Sequence, residues 1–515
     1  MTQAEALKIL KSGANVFLTG EPGSGKTFVV NQYVEYLKRA KVEVAVTAST
    51  GIAATHLNGM TIHSWGAIGI NKTLTKWDLD RISSIERVVK RIERTRVLVI
   101  DEISMLDGRA LKCVDQVCRE VKRSFEPFGG LQVILAGDFF QLPPATRQDE
   151  PPAEFAFASL TWKETNPFIC YLSEQYRQDD LTLLDILSAL RRNQINDEHC
   201  RHLDKRRISD LESTARKIPK LFSHNVDVDE LNLAELERLP GDKEGFQMRS
   251  RGKKALVQQL KRGCLSPENL LLKKGASVMF TKNSPTGEFV NGTLGTVIGF
   301  DGHRNYPVVK SRSGHKVKTE PMDWSVEEHG RVLATISQIP LRLAWAMTVH
   351  KSQGMSLDAA FMDLRKAFTY GQGYVALSRV RTLAGLYLAG WNETALRVHP
   401  EVLSFDKEFR KRSVETGEAF GRIPAVEMTK MHHNFIEACG GKVFTDEPTK
   451  TDNAYSVEQA RKTHPNAYRS WSENEDKALT EHYQSGKRAG EISELLGRGP
   501  GAIRSRLVKL KLIKQ

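Results

Sequence analysis

The sequence predicts an α/β protein with a parallel sheet between helix layers, and three observations predict it. Four apolar runs in the first third, VFLTG (16–20), VEVAVTA (42–48), RVLVIDE (96–102) and LQVILAGD (131–138), are strand-length and unalternated. Runs of that kind belong to strands buried on both faces. Helical stretches separate them: over 27–40, Phe28, Val29, Tyr33, Val34 and Leu37 recur at helical spacing. A glycine-rich loop, GEPGSGKT (20–27), joins the first run to that helix. Residues 1–165 therefore read as one α/β domain.

The chain has 515 residues, room for about three or four folding units at roughly 100–200 residues each. Apolar residues make up 40% and charged residues 27%, which excludes a disordered tail or a collagen-like fibre. No apolar run approaches the ~20 residues needed to cross a bilayer, so a soluble chain with no membrane partner is expected. Lysine plus arginine (75) exceed aspartate plus glutamate (62), a net charge of +13. Such an excess attracts polyanions, of which nucleic acid is the commonest, or else makes a generally basic surface. Six cysteines, at 113, 118, 170, 200, 264 and 439, form no C-x-x-C pair, which favours a reducing compartment, buried thiols and no zinc. MTQAEALKIL at the start lacks the apolar core of a signal peptide and the arginines of a transit peptide. Cytoplasm or bacterial nucleoid is the expected location, or the nucleus in a eukaryotic cell.

Further along, Pro143, Pro144, Pro151 and Pro152 punctuate a loop after the fourth run. A second α/β region occupies 166–282 and resumes at 341–400. Between its halves, 283–340 changes character. NGTLGTVIGF, YPVVK, HKVK and RVLATIS are short alternating or β-branched runs with Gly and Asn turns, the pattern of a small inserted β-barrel. A mostly polar connecting segment, 401–465, is too varied to be a simple flexible linker, and 466–515 forms a compact helical unit.

GEPGSGKT satisfies G-x-x-x-x-G-K-[ST] between a strand and a helix, the context that gives the motif its meaning. Gly20, Gly23, Ser24 and Gly25 let successive backbone N–H groups turn inward on phosphates, and the following helix presents its positive end. Lys26 adds a point charge between β and γ oxygens, and Thr27 offers a hydroxyl to Mg²⁺. At the end of the third run, Asp101 is placed to hold Mg²⁺ and Glu102 to orient a water in line with the γ-phosphate. Gln141, in GDFFQLPP (137–144), closes the fourth run where it can sense that phosphate, because ligands in open parallel sheets sit at the carboxyl ends of strands. Hydrolysis of ATP with Mg²⁺, rather than nucleotide storage, is the expected chemistry.

Seven strings then stand in order: GEPGSGKT, VTASTGIAATHLNGMTIHS (46–64), VIDEISMLD (99–107), GDFFQLPP, SEQYRQDD (173–180), AWAMTVHKSQGMSLD (344–358) and GYVALSRV (373–380). Together they resemble the PIF helicases (petite integration frequency), in the B branch of helicase superfamily one, over about residues 1–400. The resemblance implies two RecA-like domains that hold ATP in the cleft between them and single-stranded DNA across their top. It implies that Gln3 reads adenine and that Arg177 and Arg379 reach across the cleft to the γ-phosphate. Thr50, Gly51, Thr61, His63 and Ser64 lie near the DNA backbone on this pattern, with Thr348, His350, Lys351, Ser352 and Gln353 opposite them. Hydroxyls, amides and a few cations suit a motor that holds phosphate without reading sequence. His63 and His350 equally fit ordinary packed histidines, and Trp65 and Trp345 fit core better than base stacking. Ser49 replaces the family's usual proline, and SHN (223–225) its PTN, which loosens the assignment of those loops.

Two acid-free basic stretches remain open in meaning. Arg304, Lys310, Arg312, Lys316 and Lys318 either grip DNA phosphates or stay solvated, and Arg249, Arg251, Lys253, Lys254, Lys261 and Arg262 make either a positive rim or a basic helix face. From Trp471 the chain reads as three helices: Ser472 and Glu475 form a capping-box start, and Gly486 and Gly497 act as stops. This unit resembles a Myb-like or helix-turn-helix fold, with Arg504 and Arg506 on a basic third helix that fits DNA, or else docks protein. The whole implies an ATP-dependent DNA helicase, monomeric, moving 5′ to 3′ on single-stranded DNA and opening forked or structured duplexes in replication, repair, recombination or telomere maintenance. Two other readings are a DNA-stimulated ATPase remodeller and an ATP-switched, site-specific DNA-binding regulator.

Overall fold

The computed structural model describes the chain except residues 70, 145–152, 175–179, 209–217, 223–227, 313, 329–330, 350–351, 353–354, 445–465, 467–472, 486, 488, 500–501, 504–505, 508–509, 511 and 513–515. It divides into two compact units, Met1–Val443 and Phe444–Gln515.

The four apolar runs form strands where expected. Val16–Gly20 (β1), Val44–Ala48 (β2), Val97–Asp101 (β4) and Gln132–Ala136 (β5) join the short Met60–Thr61 (β3) and Phe168–Leu172 (β6) in one sheet, ordered β3-β2-β4-β5-β1-β6. Every pairing in it is parallel. β1, β4 and β5 are buried at every residue, which is why their sequences do not alternate. β6 lies past the boundary expected at 165, so the first sheet claims a strand assigned by sequence to the second domain. The helix Lys26–Arg39 buries Val29, Val30, Tyr33, Val34 and Leu37 against this sheet. Phe28, expected on the same face, is instead 51% exposed, because it occupies the first turn of the helix and lines the open cleft at the strand ends.

After β7 (Lys220–Phe222) the chain builds an antiparallel region that starts at Glu244, well ahead of the expected 283. Its strands are β8 (Glu244–Gln247), β9 (Arg249–Gly252), β10 (Asn269–Leu272), β11 (Ser277–Phe280), β12 (Leu294–Phe300), β13 (Pro307–Ser311), β14 (Lys316–Lys318), β15 (Met322–Glu328), β16 (Arg331–Gln338) and β17 (Leu341–Leu343). They form sheets β14-β13-β12-β11-β17, β15-β16-β9 and β10-β8. Val278, Phe280, Phe289, Val297, Val309 and Leu341 close the core of the first of these. The chain returns as β18 (Ala346–Thr348), β19 (Ala360–Leu364) and β20 (Leu386–Trp391), which with β7 make a second parallel sheet, β18-β7-β19-β20.

The segment expected only to connect, from 401, begins instead with two helices, Pro400–Gly421 and Ala425–Ala438. The first packs on the first lobe. Phe409 sits 5.2 Å from Phe17 and 5.9 Å from Phe157, ring to ring. The Ser413 hydroxyl accepts the Tyr171 amide at 3.0 Å. The second reaches the opening helix Gln3–Lys11, where the His432 ring lies 3.0 Å from the Lys8 carbonyl. Among the described residues, no helix is long and apolar enough to cross a membrane.

In the smaller unit, the helices Glu473–Gln484 and Ala489–Leu496 close on Leu479, Ile492, Ile503 and Leu507. Gly497 takes φ +59° just after the second helix, the left-handed stop read from the sequence.

Candidate nucleotide-binding cleft

Parallel strands bring their carboxyl ends to one edge of the first sheet, and four predicted elements meet there. The phosphate loop follows β1, Glu102 follows β4, Gln141 follows β5 and Thr50 follows β2. Facing this edge is the loop after the helix Gln372–Leu377, which carries Arg379. Gly23, Gly25, Lys26, Thr27, Thr50, Asp101, Glu102, Gln141 and Arg379 line one cavity of about 960 Å³.

The loop shows why glycine is required at two positions. Gly23 and Gly25 take φ +91° and +87°, conformations costly for any residue with a Cβ. A Cβ on Gly25 would also stand 1.9 Å from the Gln3 amide nitrogen, because Gln3 donates to the Ser24 carbonyl at 3.0 Å. Gln3 thus rests against the phosphate loop. The Lys26 ammonium donates to the carbonyls of Gly20 (2.8 Å) and Glu21 (3.1 Å). The Ser24 hydroxyl is buried without a partner, in a loop shaped to wrap an anion.

Glu102 adopts φ +52°, ψ +46°, a left-handed conformation unusual for glutamate and a form of strain that gathers at functional sites. Its carbonyl accepts the Ser49 hydroxyl at 2.7 Å, and the Ser49 amide donates to the Asp101 carbonyl at 3.1 Å. The serine that stands in place of the family's proline therefore pins the acidic strand end. Burial pushes the Glu102 carboxyl up to about 7, reinforced by the Asp101 charge and opposed by Lys26 and Arg379. Burial likewise raises Asp101, against the Glu102 amide and Lys26. The buried Asp101, the partly buried Glu102 and the exposed Thr27 line the same cavity with oxygen donors, the kind that suits a hard divalent cation such as Mg²⁺.

Arg379 is 1% exposed. Its Nε donates to the Val375 carbonyl (2.8 Å), Nη1 to the Ser352 carbonyl (3.3 Å) and Nη2 to the Ser378 hydroxyl (2.7 Å). Second-lobe groups thus hold its fork at the cleft wall.

The residues expected to meet DNA are more dispersed. Thr50 and Thr61 cap the short helices Gly51–His56 and Ile62–Trp65 by accepting the Ala53 and Ser64 amides. Gly51 meets Gly263 of the helix Lys254–Gly263 across 3.5 Å, measured from the position of a Cβ. His63 is partly buried, which lowers its pKa, while Ser64 is exposed. Trp65 is 2% exposed and belongs to the core, and Trp345 packs beside the core of the antiparallel region. Thr348 ends β18 half-buried. Ser352 is buried and its hydroxyl donates to the Val349 carbonyl at 2.7 Å, so that hydroxyl is engaged inside the turn. In the smaller unit, the Arg506 guanidinium grips Asp476, with Nε at 2.7 Å, and Arg498, in the turn after the helix Ala489–Leu496, grips Glu475 at 2.9 Å; both tie later parts of the unit to the helix Glu473–Gln484. Arg177, His350, Lys351, Gln353, Arg504 and the SHN stretch lie outside the described residues.

Sequence reasoning missed the far wall of the cleft. Lys282, Asn291 and Trp324 come from the antiparallel region, with Ser356 and Thr382 from the second lobe. The signal for Asn291 was an Asn-Gly pair, which reads as an ordinary turn.

Comparison with known proteins supplies the family. Residues 2–191 match the family described as PIF1-like helicase. The chain is 41% identical over 500 residues to "ATP-dependent DNA helicase Pif1" of Psychrobacter sp., covering 86% of this chain and 75% of that one. Its fold is similar to Pif1 from Bacteroides sp. in complex with ADP-AlF4, with TM-score 0.70 and 29% identity over 79% of this chain and 96% of that one. It is also similar to Bacteroides Pif1 in complex with ADP-AlF3 and ssDNA, with TM-score 0.54 and 28% identity over the same 79% and 96%. The chain belongs to the PIF1-like helicase family.

Proposed function

We propose that this ATP-dependent DNA helicase moves 5′ to 3′ along single-stranded DNA, driven by Mg²⁺-dependent ATP hydrolysis in the cleft between its two parallel sheets. The observation that carries the reading is the single cavity in which Lys26, Glu102 and Gln141 from one sheet face Arg379 from the other.

In this reading the triphosphate draws Lys26 away from the Gly20 and Glu21 carbonyls and fills the glycine cradle, with Gln3 near the base. Thr27 and Asp101 hold Mg²⁺, which when bound neutralises phosphate charge. Glu102 takes a proton from the attacking water, Gln141 senses the terminal phosphate, and Arg379 with Arg177 stabilises the charge that develops there. An arginine in that role contributes roughly 10³–10⁵ in rate where measured in other nucleotide hydrolases.

Thr50, Gly51, Thr61, His63 and Ser64 form one DNA grip and Thr348, His350, Lys351, Ser352 and Gln353 the other. Alternate tightening of the two moves the strand. Opening one base-pair step costs about 1.4 kcal/mol on average, within reach of one turnover. The relative solved with ADP-AlF3 and ssDNA supports nucleotide and strand as joint partners. We further read the antiparallel strands as the family's small barrel, the last unit as a Myb-like DNA reader using Arg504, and the motor as a monomer.

Strand displacement on 5′- and 3′-tailed duplexes tests the proposal. The parent is expected to open the 5′-tailed substrate and Lys26→Ala neither. Equal opening by Lys26→Ala, or preference for the 3′ tail, overturns it.

A further inference from the structure

Beneath the cleft lies a second charged cluster that the chemistry above does not use. Asp138, two residues past β5, is 0% exposed, and Arg191, the last residue of the helix Leu181–Arg191, is 2% exposed. Nη1 of Arg191 donates to both Asp138 carboxylate oxygens, at 2.8 and 2.9 Å, and to the Tyr374 hydroxyl at 2.9 Å. Its Nε donates to the Tyr171 hydroxyl at 3.1 Å, and Nη2 lies 3.6 Å from Asp406. The guanidinium also lies over the Phe140 ring, 4.1 Å from its centre. Arg410 closes the far side by donating to Asp406 at 2.7 Å and to the Tyr171 hydroxyl at 2.6 Å. Four other segments of the chain therefore converge on one guanidinium.

A buried ion pair is a poor way to gain stability, since desolvating both charges offsets most of their attraction and apolar packing does as well. What a planar, five-donor fork does supply is fixed geometry. The partners here are informative for where they sit. Asp138 precedes Gln141 by one turn, and the Gln141 amide donates to the Asp138 carbonyl at 3.0 Å. Tyr374 belongs to the short helix that runs into the loop of Arg379, whose Nε is anchored to the Val375 carbonyl of that helix. The two backbones already touch: a Cβ on Gly371, which begins the helix at φ +80°, would stand 2.6 Å from the Phe140 carbonyl and 2.8 Å from that of Gln141.

We propose that Arg191 is a positioning residue, which locks the strand end leading to Gln141 to the helix leading to Arg379 so that both reach the same terminal phosphate. The inference rests on the reading of Gln141 and Arg379 as phosphate-facing groups, and it assigns a role to residues outside the nucleotide's reach.

Two variants of the full chain test it, Tyr374→Phe and Arg191→Lys. The first removes one hydroxyl and keeps the ring; the second keeps the charge and loses the fork. ATP turnover with saturating single-stranded oligonucleotide is measured beside the affinities for ADP and for ADP with aluminium fluoride, a mimic of the transferring phosphate. ADP affinity is expected to stay within about twofold, while kcat and the affinity for the mimic fall together by about tenfold, more for Arg191→Lys. Values of kcat and mimic affinity within twofold of the parent, with only a lowered melting temperature, overturn the proposal and leave the cluster a structural one. If Arg191→Lys does not fold, Tyr374→Phe decides alone. Lys26→Ala and Arg379→Ala separate the two levels. Retained turnover in those variants removes the site reading itself, whereas their loss beside a normal Tyr374→Phe removes the positioning role alone.

Discussion

Glu102 concentrates what a single residue does here. It is held in a left-handed conformation, partly buried, and tied through Ser49 to the neighbouring strand end. Replacing it with glutamine keeps the shape and removes the base. Turnover is expected to fall by about 10²–10⁴, the usual worth of a positioned proton acceptor, with ATP still bound, as checked by nucleotide-binding fluorescence. The same substitution gives a pH signature in the nucleotide-free protein. The folded carboxyl titrates near 7, above its ordinary 4.5, so its contribution to stability is fully present below about 4.5 and is lost as the pH rises through 7. Glu102→Gln has no charge to bury and is expected to raise the melting temperature over the parent more at pH 8 than at pH 6. Equal gains at both would mean the acid is not desolvated. Arg379→Ala is expected to lower turnover by about 10³ or more while leaving ADP affinity near the parent's. Lys26, Asp101 and Glu102 were legible in the sequence because a phosphate loop and a strand-end acid pair have fixed local spacing. Arg191 was not: its partners Asp138 and Tyr374 lie 53 and 183 residues away, and no local pattern reports such a pairing.

At the scale of elements, strands announced themselves wherever both faces are buried, since the whole run must then be apolar. Helices with one wet face were harder. The helix Pro400–Gly421 read as a connector because charged residues outnumber apolar ones along it, yet Phe409, Ser413, Thr416 and Phe420 fall on one stripe and are buried. That spacing was available in the sequence, and the charged background masked it. Phe409 inserts among Phe17, Phe139, Phe157 and Trp162. Phe409→Ala is expected to cost about 3–5 kcal/mol, measured by denaturant unfolding of the larger unit. A loss below about 1 kcal/mol, in the range of an ordinary surface substitution, would show that the helix is not part of that core. The antiparallel region was likewise read too short, since β9 is four residues long and exposed throughout, with neither the alternation nor the apolar run that marks a strand.

For the whole molecule, ending the chain after Val443 is expected to leave the main calorimetric transition and ATP turnover close to the parent's, because the larger unit holds the entire cleft. Ending it before Pro400 is expected to abolish both, because that cut strips the aromatic stripe and the Asp406 and Arg410 partners from Tyr171. Survival of turnover in the shorter fragment would contradict the packing described for the returning helices. Because the chain leaves the first sheet after Leu172 and comes back to it at Pro400, the second lobe is moored to the first by two covalent crossings. The two crossings run close together, since the Tyr171 hydroxyl donates to Asp406 at 3.1 Å, so the second lobe hangs from the first as a gate hangs from paired hinges on one post.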